Sequence, residues 1–120
     1  MYQKYERKGK VTMAYKEEWP KIENITLIDV MSKYSECETV WPCFRARGKA
    51  VLRDGEKFDE AKGKAIAGAR ADLKINRKLQ KRMHMAIKEL AQALEEARNL
   101  EQKHRARAEC IEQTLDRLTR

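Results

Sequence analysis

The sequence predicts an α+β fold, in which a small antiparallel sheet of about three strands is packed by a helix and followed by a long C-terminal helix or coiled coil. Two observations lead to this class. Segments of the first half alternate apolar with polar residues, the period of two that is typical of strands. Both prolines, Pro20 and Pro42, lie in that half, whereas residues 60–120 contain none and space their apolar residues as a helix does.

Three segments of the first half are predicted as strands, namely residues 10–15, 23–34 and 40–52. The second of them carries apolar residues on both faces, which indicates burial on two sides. Pro42 places the start of the third at an edge or a bulge, and Asp54-Gly55 predicts the turn that ends it. The N-terminal residues are predicted to be disordered. Because Tyr2 and Tyr5 lie there among cations, stacking on nucleic-acid bases is the open alternative.

A helix over residues 60–71 is predicted to cover the sheet, with Asp59 as its N-cap. Two rows of small residues recur in it at four-residue intervals: Gly63, Ala67 and Ala71, and beside them Ala61, Ala65 and Ala69. Side chains this small let a helix backbone approach strands closely, so both rows are expected to face the sheet. Phe58 and Ile66 would be the apolar anchors.

The helical pattern continues to the end of the chain, and one uninterrupted helix would be on the order of 90 Å long at 1.5 Å per residue. Apolar residues with alternating spacings of three and four form a heptad seam along it, at Met83, Ile87, Leu90, Leu94, Ala97, Ala108, Ile111, Leu115 and Leu118. Glu101 and His104 occupy the remaining seam positions, and this polar interruption indicates either a bend or a device that fixes the register.

Two interpretations of the seam stay open. It could be the buried stripe of a helix within its own domain, or it could pair with another helix as a homodimeric coiled coil or a helical hairpin. The second interpretation makes a predicted partner interface of Met83, Ile87, Leu90, Leu94, Ile111, Leu115 and Leu118. The predicted domains are residues 1–71, a β-meander with the start of the helix, and residues 72–120, a helical extension.

The net charge of +8 favours a polyanionic partner, with nucleic acid as the first candidate. The predicted nucleic-acid-binding residues are Arg45, Arg47 and Lys49, which share one face of the third strand, and Lys74, Arg77, Lys78, Lys81 and Arg82 in the helix. The alternative for the strand is a solvated face whose cations are paired with Glu36, Glu38 or the acids of a neighbouring strand.

No catalytic arrangement is recognisable. Neither histidine lies in a recognisable arrangement with a serine, a cysteine or a carboxylate, and no glycine-rich phosphate loop joins a strand to a helix. The protein is therefore predicted to be no enzyme and to use no cofactor, no metal and no small-molecule substrate. Cys37, Cys43 and Cys110 lack metal-ligand spacing and are expected to be reduced thiols. No apolar run is long enough to span a bilayer and no signal peptide is recognisable, so no membrane partner and a cytoplasmic location are predicted.

The segment from Gly48 to Ala71 resembles a small domain that recurs among uncharacterised bacteriophage and prophage proteins. Its pattern of Gly-x-Ala, a spacer, Phe-Asp, and Gly-x-x-Ile-Ala-x-x-Arg-Ala is met by Gly48, Ala50, Phe58, Asp59, Gly63, Ile66, Ala67, Arg70 and Ala71. The family's Lys-Cys-x-Pro turn is replaced here by Val51-Leu52-Arg53. The resemblance covers about a fifth of the chain and implies a β-meander followed by a helix, without catalytic residues.

Two functions follow as expectations. In the first, the protein is a non-enzymatic basic binding protein of phage or mobile-element type that contacts nucleic acid or a host nucleoprotein in the host cytosol. The resemblance extends this to inhibitors of a host defence complex, such as anti-CRISPR proteins. In the second, it is a protein-interaction adaptor that dimerises through residues 83–118 with no direct nucleic-acid contact.

Overall fold

The computed structural model describes residues 2–39 and 41–120 and has the predicted α+β class. The elements follow in the order β1 (Tyr2–Lys8), β2 (Val11–Glu18), α1 (Ile25–Ser32), β3 (Phe44–Val51) and α2 (Glu60–Thr119). The strands form one antiparallel sheet in the order β1-β2-β3, so β2 is central. The chain makes two compact units, one up to Ala86 and one from Ile87, and α2 contributes to both. The predicted division between residues 71 and 72 stays a prediction.

The N-terminal residues form a strand, and the prediction of a disordered start is wrong. β1 pairs with β2 along its whole length, with Lys8 opposite Val11, so a two-residue turn joins them. Gly9 adopts a φ of 62° at the first position of that turn. A positive φ there matches the right-handed twist of a hairpin and costs glycine little.

A helix replaces the strand predicted over residues 23–34. Asn24 caps it, because its side-chain oxygen accepts a hydrogen bond from the backbone N–H of Leu27 at 3.1 Å. Val30 and Met31 are buried and Leu27 is half-buried, which is helical spacing, whereas Ile25 is exposed. The apolar residues on both faces of an extended chain indicated a strand, but the cap and the burial of one helical stripe decide the structure.

β3 and the start of α2 pack backbone against backbone at Gly48. A Cβ atom at this position would lie 2.1 Å from the Ala67 carbonyl oxygen and 2.4 Å from the Ala71 nitrogen, so only glycine fits. Ala67 and Ala71 are fully buried and form a core cluster with Ala14 and Ala50 of the sheet. The first predicted row of small residues therefore faces the sheet.

The second predicted row is wrong, because Ala61, Ala65 and Ala69 are exposed. A sheet of three strands offers one stripe of contact, and one row of α2 fills it.

The predicted N-cap of α2 is confirmed, since the Asp59 carboxylate accepts a hydrogen bond from the Lys62 N–H at 3.1 Å. Phe58 is exposed and stacks against the Arg7 guanidinium, 3.3 Å from its ring centroid, while Ile66 packs on the alanine cluster.

Side chains of α2 also cover the outer edge of β3. Arg70 donates to the Lys49 carbonyl at 2.6 Å, and Lys78 donates to the Arg45 carbonyl at 2.5 Å. The spacing is consistent, because four strand residues span about 13 Å and eight helix residues about 12 Å. α2 therefore runs antiparallel to β3 over this stretch.

A disulfide joins Cys37 and Cys43, which contradicts the prediction of reduced thiols for this pair. Their Cα atoms lie 5.4 Å apart, within the range that a disulfide requires. Cys110 is free and exposed. Because the predicted cytoplasmic location rests partly on reduced cysteines, it stays a prediction. Within the described chain, no helix combines the length and apolarity needed to cross a bilayer.

Residues 87–120 form the second unit and are helical as far as Thr119. The helix continues through residues 99–104, so the polar interruption of the seam does not end it. No residue of this unit is buried, and Leu90 is among the few that are half-buried.

Candidate nucleic-acid interface

A groove of about 850 Å³ lies in the first unit and is lined by residues of all three strands and of α2. We call it the basic groove. Its lining residues are Tyr2, Tyr15, Lys16, Glu17, Arg45, Ala46, Arg47, Lys74, Arg77 and Lys78. Six of them are cations and one is an acid, so the groove is strongly positive before its neighbours are considered.

The groove brings together five of the eight cations that the sequence predicted as nucleic-acid-binding residues, from two separate clusters. The antiparallel course of α2 along β3 explains this, because it brings residues 74–78 of the helix to the first half of the strand. Arg45 and Arg47 thereby meet Lys74, Arg77 and Lys78. The remaining three predicted residues do not line the groove: Lys49, Lys81 and Arg82. The Arg82 guanidinium lies 5.3 Å from the centroid of the Tyr34 ring.

Three cations of the groove are paired with carboxylates. Arg45 lies 3.1 Å from Glu17 on the neighbouring strand, and Lys78 lies 3.0 Å from Glu36. The buried ammonium of Lys16 contacts Asp72 of α2, which compensates the cost of burying its charge. The alternative interpretation of β3, in which its cations are paired with acids, therefore holds at Arg45. These three side chains hold β2, β3, α2 and the segment before Cys37 together.

Arg47, Lys74 and Arg77 differ from these three cations. All of them are exposed, and none takes part in an ion pair or a side-chain hydrogen bond among the described residues. They come from two elements and face one groove. Like charges held together in this way repel one another, so an anion that binds between them relieves the repulsion.

Two aromatic side chains lie among the cations of the groove. Tyr2 is about half exposed at 49%, and Tyr15 is half-buried on the central strand. Tyr5 does not join them: its hydroxyl accepts from Gln3 at 2.7 Å and lies against Gly68 of α2. The sequence indicated Tyr2 but not Tyr15, whose place follows from its register opposite Arg47.

The face of β1 beside Tyr2 carries an ion pair. The Lys4 ammonium lies 2.9 Å from the Glu6 carboxylate. Their hydrogen bond, with the attraction of opposite charges, raises the pKa of Lys4 and lowers the pKa of Glu6. Lys4 is therefore compensated and adds little to the positive potential of the groove.

One set of ligand-type side chains meets near the groove in the described part of the chain: Glu17, Cys37 and Cys43, with ligand atoms within 4.8 Å of one another. The two sulfurs are bonded to each other. A disulfide lacks the thiolate that binds zinc, so the two cysteines form a covalent link beside the groove and Glu17 pairs with Arg45.

Comparison with known proteins adds no relative to this description. No family model, no curated protein and no solved structure matches the chain. The resemblance to the phage and prophage domain therefore stays a proposal.

Proposed function

We propose that the protein is a non-enzymatic binding protein that holds nucleic acid by its phosphates in the basic groove. The observation that carries this proposal is the convergence of Arg47, Lys74 and Arg77, three exposed and unpaired cations, on one groove. A cation already held by a carboxylate must give up that partner to bind a phosphate. These three have no such partner to give up.

The proposed contacts follow the usual division of roles in nucleic-acid binding. Arginine can bind a phosphate through two N–H groups, whereas lysine acts as a point charge. Tyr2, at the rim, offers a ring face on which an unpaired base could stack. Phosphate contacts carry no sequence information, so we expect binding that is sequence-tolerant and strongly dependent on salt. The role requires no cofactor.

The test is a fluorescence-anisotropy titration of short labelled single-stranded and duplex DNA and RNA with the full chain. The variant is Arg47→Glu/Lys74→Glu/Arg77→Glu. We expect it to weaken binding at least tenfold at about 50 mM salt, because three phosphate contacts become repulsive. The slope of log affinity against log salt should also be smaller by about 3, roughly one for each lost phosphate contact.

A matched control changes the same number of charges away from the groove, as Arg53→Glu/Lys57→Glu/Lys62→Glu. These three residues are exposed and do not line the groove. If net charge alone drove binding, both triple variants would lose affinity equally. Equal losses, or no binding by the unaltered chain at about 50 mM salt, would contradict the proposal.

The target could also be a nucleoprotein of a host cell. The phage-like segment from Gly48 to Ala71 supports this extension, which includes inhibition of a host defence complex of the anti-CRISPR kind. A tagged chain would be used to capture partners from a bacterial lysate with and without nuclease treatment. Capture that nuclease abolishes supports contact through nucleic acid, and capture that survives nuclease supports contact with protein.

A second function, pairing of the heptad seam with another helix, is favoured by a separate observation. Seam residues of the second unit expose apolar surface, and residues 87–120 include none that is buried. Large exposed apolar side chains at regular helical spacing are typical of an interaction surface. Under this proposal the chain is an adaptor, whether or not the basic groove binds nucleic acid. Light scattering on the pure protein tests whether the seam pairs with itself.

A further inference from the structure

We propose that the seam of residues 87–118 pairs with the same segment of a second copy of this chain, and that the two helices run antiparallel. The inference rests on the second function above, pairing of the seam with another helix. It is independent of nucleic-acid binding. The juxtaposition that supports it is a seam whose residue sizes mirror each other about a centre between Glu101 and His104, an acid and an imidazole that would face each other.

The seam has a large uncovered surface in one chain. The exposed fractions are 63% for Ile87, 52% for Leu94, 52% for Ile111, 55% for Leu115 and 76% for Leu118. In a heptad coiled coil, such residues insert as knobs between four residues of the facing helix. The 3-4 spacing places Ile87, Leu94, Glu101, Ala108 and Leu115 at positions a, and Leu90, Ala97, His104, Ile111 and Leu118 at positions d.

The order of residue types along the seam is a mirror image of itself. Read from either end, it gives three large aliphatic residues, one alanine and one polar residue that can carry charge. The spacings read 3-4-3-4-3-4-3-4-3 in both directions. A parallel pair in register matches each residue with itself whatever the order, whereas an antiparallel pair matches residue sizes only because the order has this symmetry.

In antiparallel coiled coils, each a position faces a d position of the other helix. Alignment about the centre then gives five kinds of layer: Ile87 with Leu118, Leu90 with Leu115, Leu94 with Ile111, Ala97 with Ala108, and Glu101 with His104 of the second copy. Large residues meet large ones and alanine meets alanine, which keeps the packing density even along the interface. The two central layers join a carboxylate to an imidazole, which can donate a hydrogen bond to it.

The parallel arrangement gives the polar residues of the seam less favourable electrostatic contacts. It places Glu101 against Glu101 of the second copy, two like charges in a partly desolvated layer. Its gain would be an ion pair between Arg107 and Glu112 at the flanking positions, and exposed pairs of this kind contribute little. The antiparallel arrangement brings Arg98 near Arg105 of the second copy, but Arg105 is already held by Glu101 at 2.5 Å. The polar residues of the seam thus specify orientation and register, a known use of polar core residues.

The test is disulfide trapping in the full chain, after sedimentation shows the oligomeric state. In a Cys110→Ser background, Ala97→Cys and Ala108→Cys are made separately, and one variant carries a tag that changes its mass. Each variant is oxidised alone and after mixing through a denatured state. We expect a covalent dimer only in the mixture, because Ala97 faces Ala108 of the second copy and neither faces itself.

The native chain is the matched control, since Cys110 is free, exposed and outside the seam, and should not link two chains. A sedimentation mass near 14.1 kDa at high micromolar concentration would overturn the dimer. Efficient self-linking of Ala97→Cys or of Ala108→Cys would overturn the orientation and leave a parallel pair. Neither outcome bears on binding by the basic groove, which anisotropy measures on its own.

Discussion

The two parts of α2 are covered in different ways. Within the first unit, the helix places Ala67, Ala71 and Ile75 in a core without exposed surface. Within the second unit, Ile87 and Leu118 are more exposed than buried. The first unit thus buries two alanines beside one isoleucine, whereas the second unit leaves large aliphatic residues exposed.

The contrast shows that hydrophobic residue size alone does not indicate where a core will be. Alanine contributes little apolar area, but it lets two backbones meet, and the contact at Gly48 removes solvent from the sheet and the helix together. Leucine offers more area but needs a surface that can surround it. The first unit therefore depends on close fit, whereas the seam residues of the second unit remain exposed in one chain.

The largest expected effect is on the close fit of the first unit. Gly48→Ala places a methyl group within 2.4 Å of two backbone atoms of α2, and backbone cannot move aside cheaply. We expect a loss of about 3 kcal/mol or more in the free energy of unfolding, measured by urea denaturation.

The matched control is Gly63→Ala in the same interface. Its nearest neighbour is the side chain of Thr12 at 3.0 Å, and alanine favours a helix over glycine by up to about 1 kcal/mol. We expect little net change. Similar stabilities for the Gly48 and Gly63 variants would show that the backbone contact at Gly48 is not decisive.

The next effect falls on the second unit. Leu94→Asp/Leu115→Asp places charges in the seam, and we expect it to lower the sedimentation mass to the 14.1 kDa of one chain, because charges in the seam oppose pairing. The control is Gln92→Asp/Gln113→Asp, at the heptad positions farthest from the seam. Dissociation by the control as well would mean that added charge, and not the seam, governs association.

The smallest effect concerns the disulfide of the first unit. A link between Cys37 and Cys43 closes a short loop, for which chain entropy gives about 2 kcal/mol of stabilisation. Cys37→Ser/Cys43→Ser should therefore lower the free energy of unfolding by that amount, and the free energy of the variant should not depend on dithiothreitol. Cys110→Ser should change neither the free energy of unfolding nor its dependence on dithiothreitol. Two free thiols on the pair in the purified, unreduced protein would contradict the disulfide.

Much of the fold could be predicted because local pattern and tertiary contact agree. The absence of proline after residue 60, with the cap at Asp59, gave α2, and the alternation in residues 44–50 gave β3. The prediction failed at α1, where apolar residues on both faces of an extended chain indicated a strand while one side chain, Asn24, caps the helix. It failed at β1 because an exposed charged strand has no apolar alternation to recognise.

The candidate site could be predicted only in pieces. Charge spacing indicated the cations of β3 and of α2 separately, but their meeting depends on the antiparallel course of α2, which no local signal specifies. The antiparallel direction of α2 along β3 also decides which cations are paired with carboxylates. Glu17 and Glu36 reach Arg45 and Lys78 from elements whose placement the sequence left open. Which cations stay free is thus a tertiary property.

The hydrogen bonds from Arg70 and Lys78 to the outer carbonyls of β3 have a consequence for self-association. A strand arriving from another molecule would find those acceptors occupied and two cationic side chains across its path, so the sheet cannot be extended on that side. A strand could be added only at the edge formed by β1. The alternating charges of Lys4, Glu6 and Lys8 disfavour pairing of this edge with an identical strand. Both edges of the sheet are in this way protected against pairing with a strand of another copy.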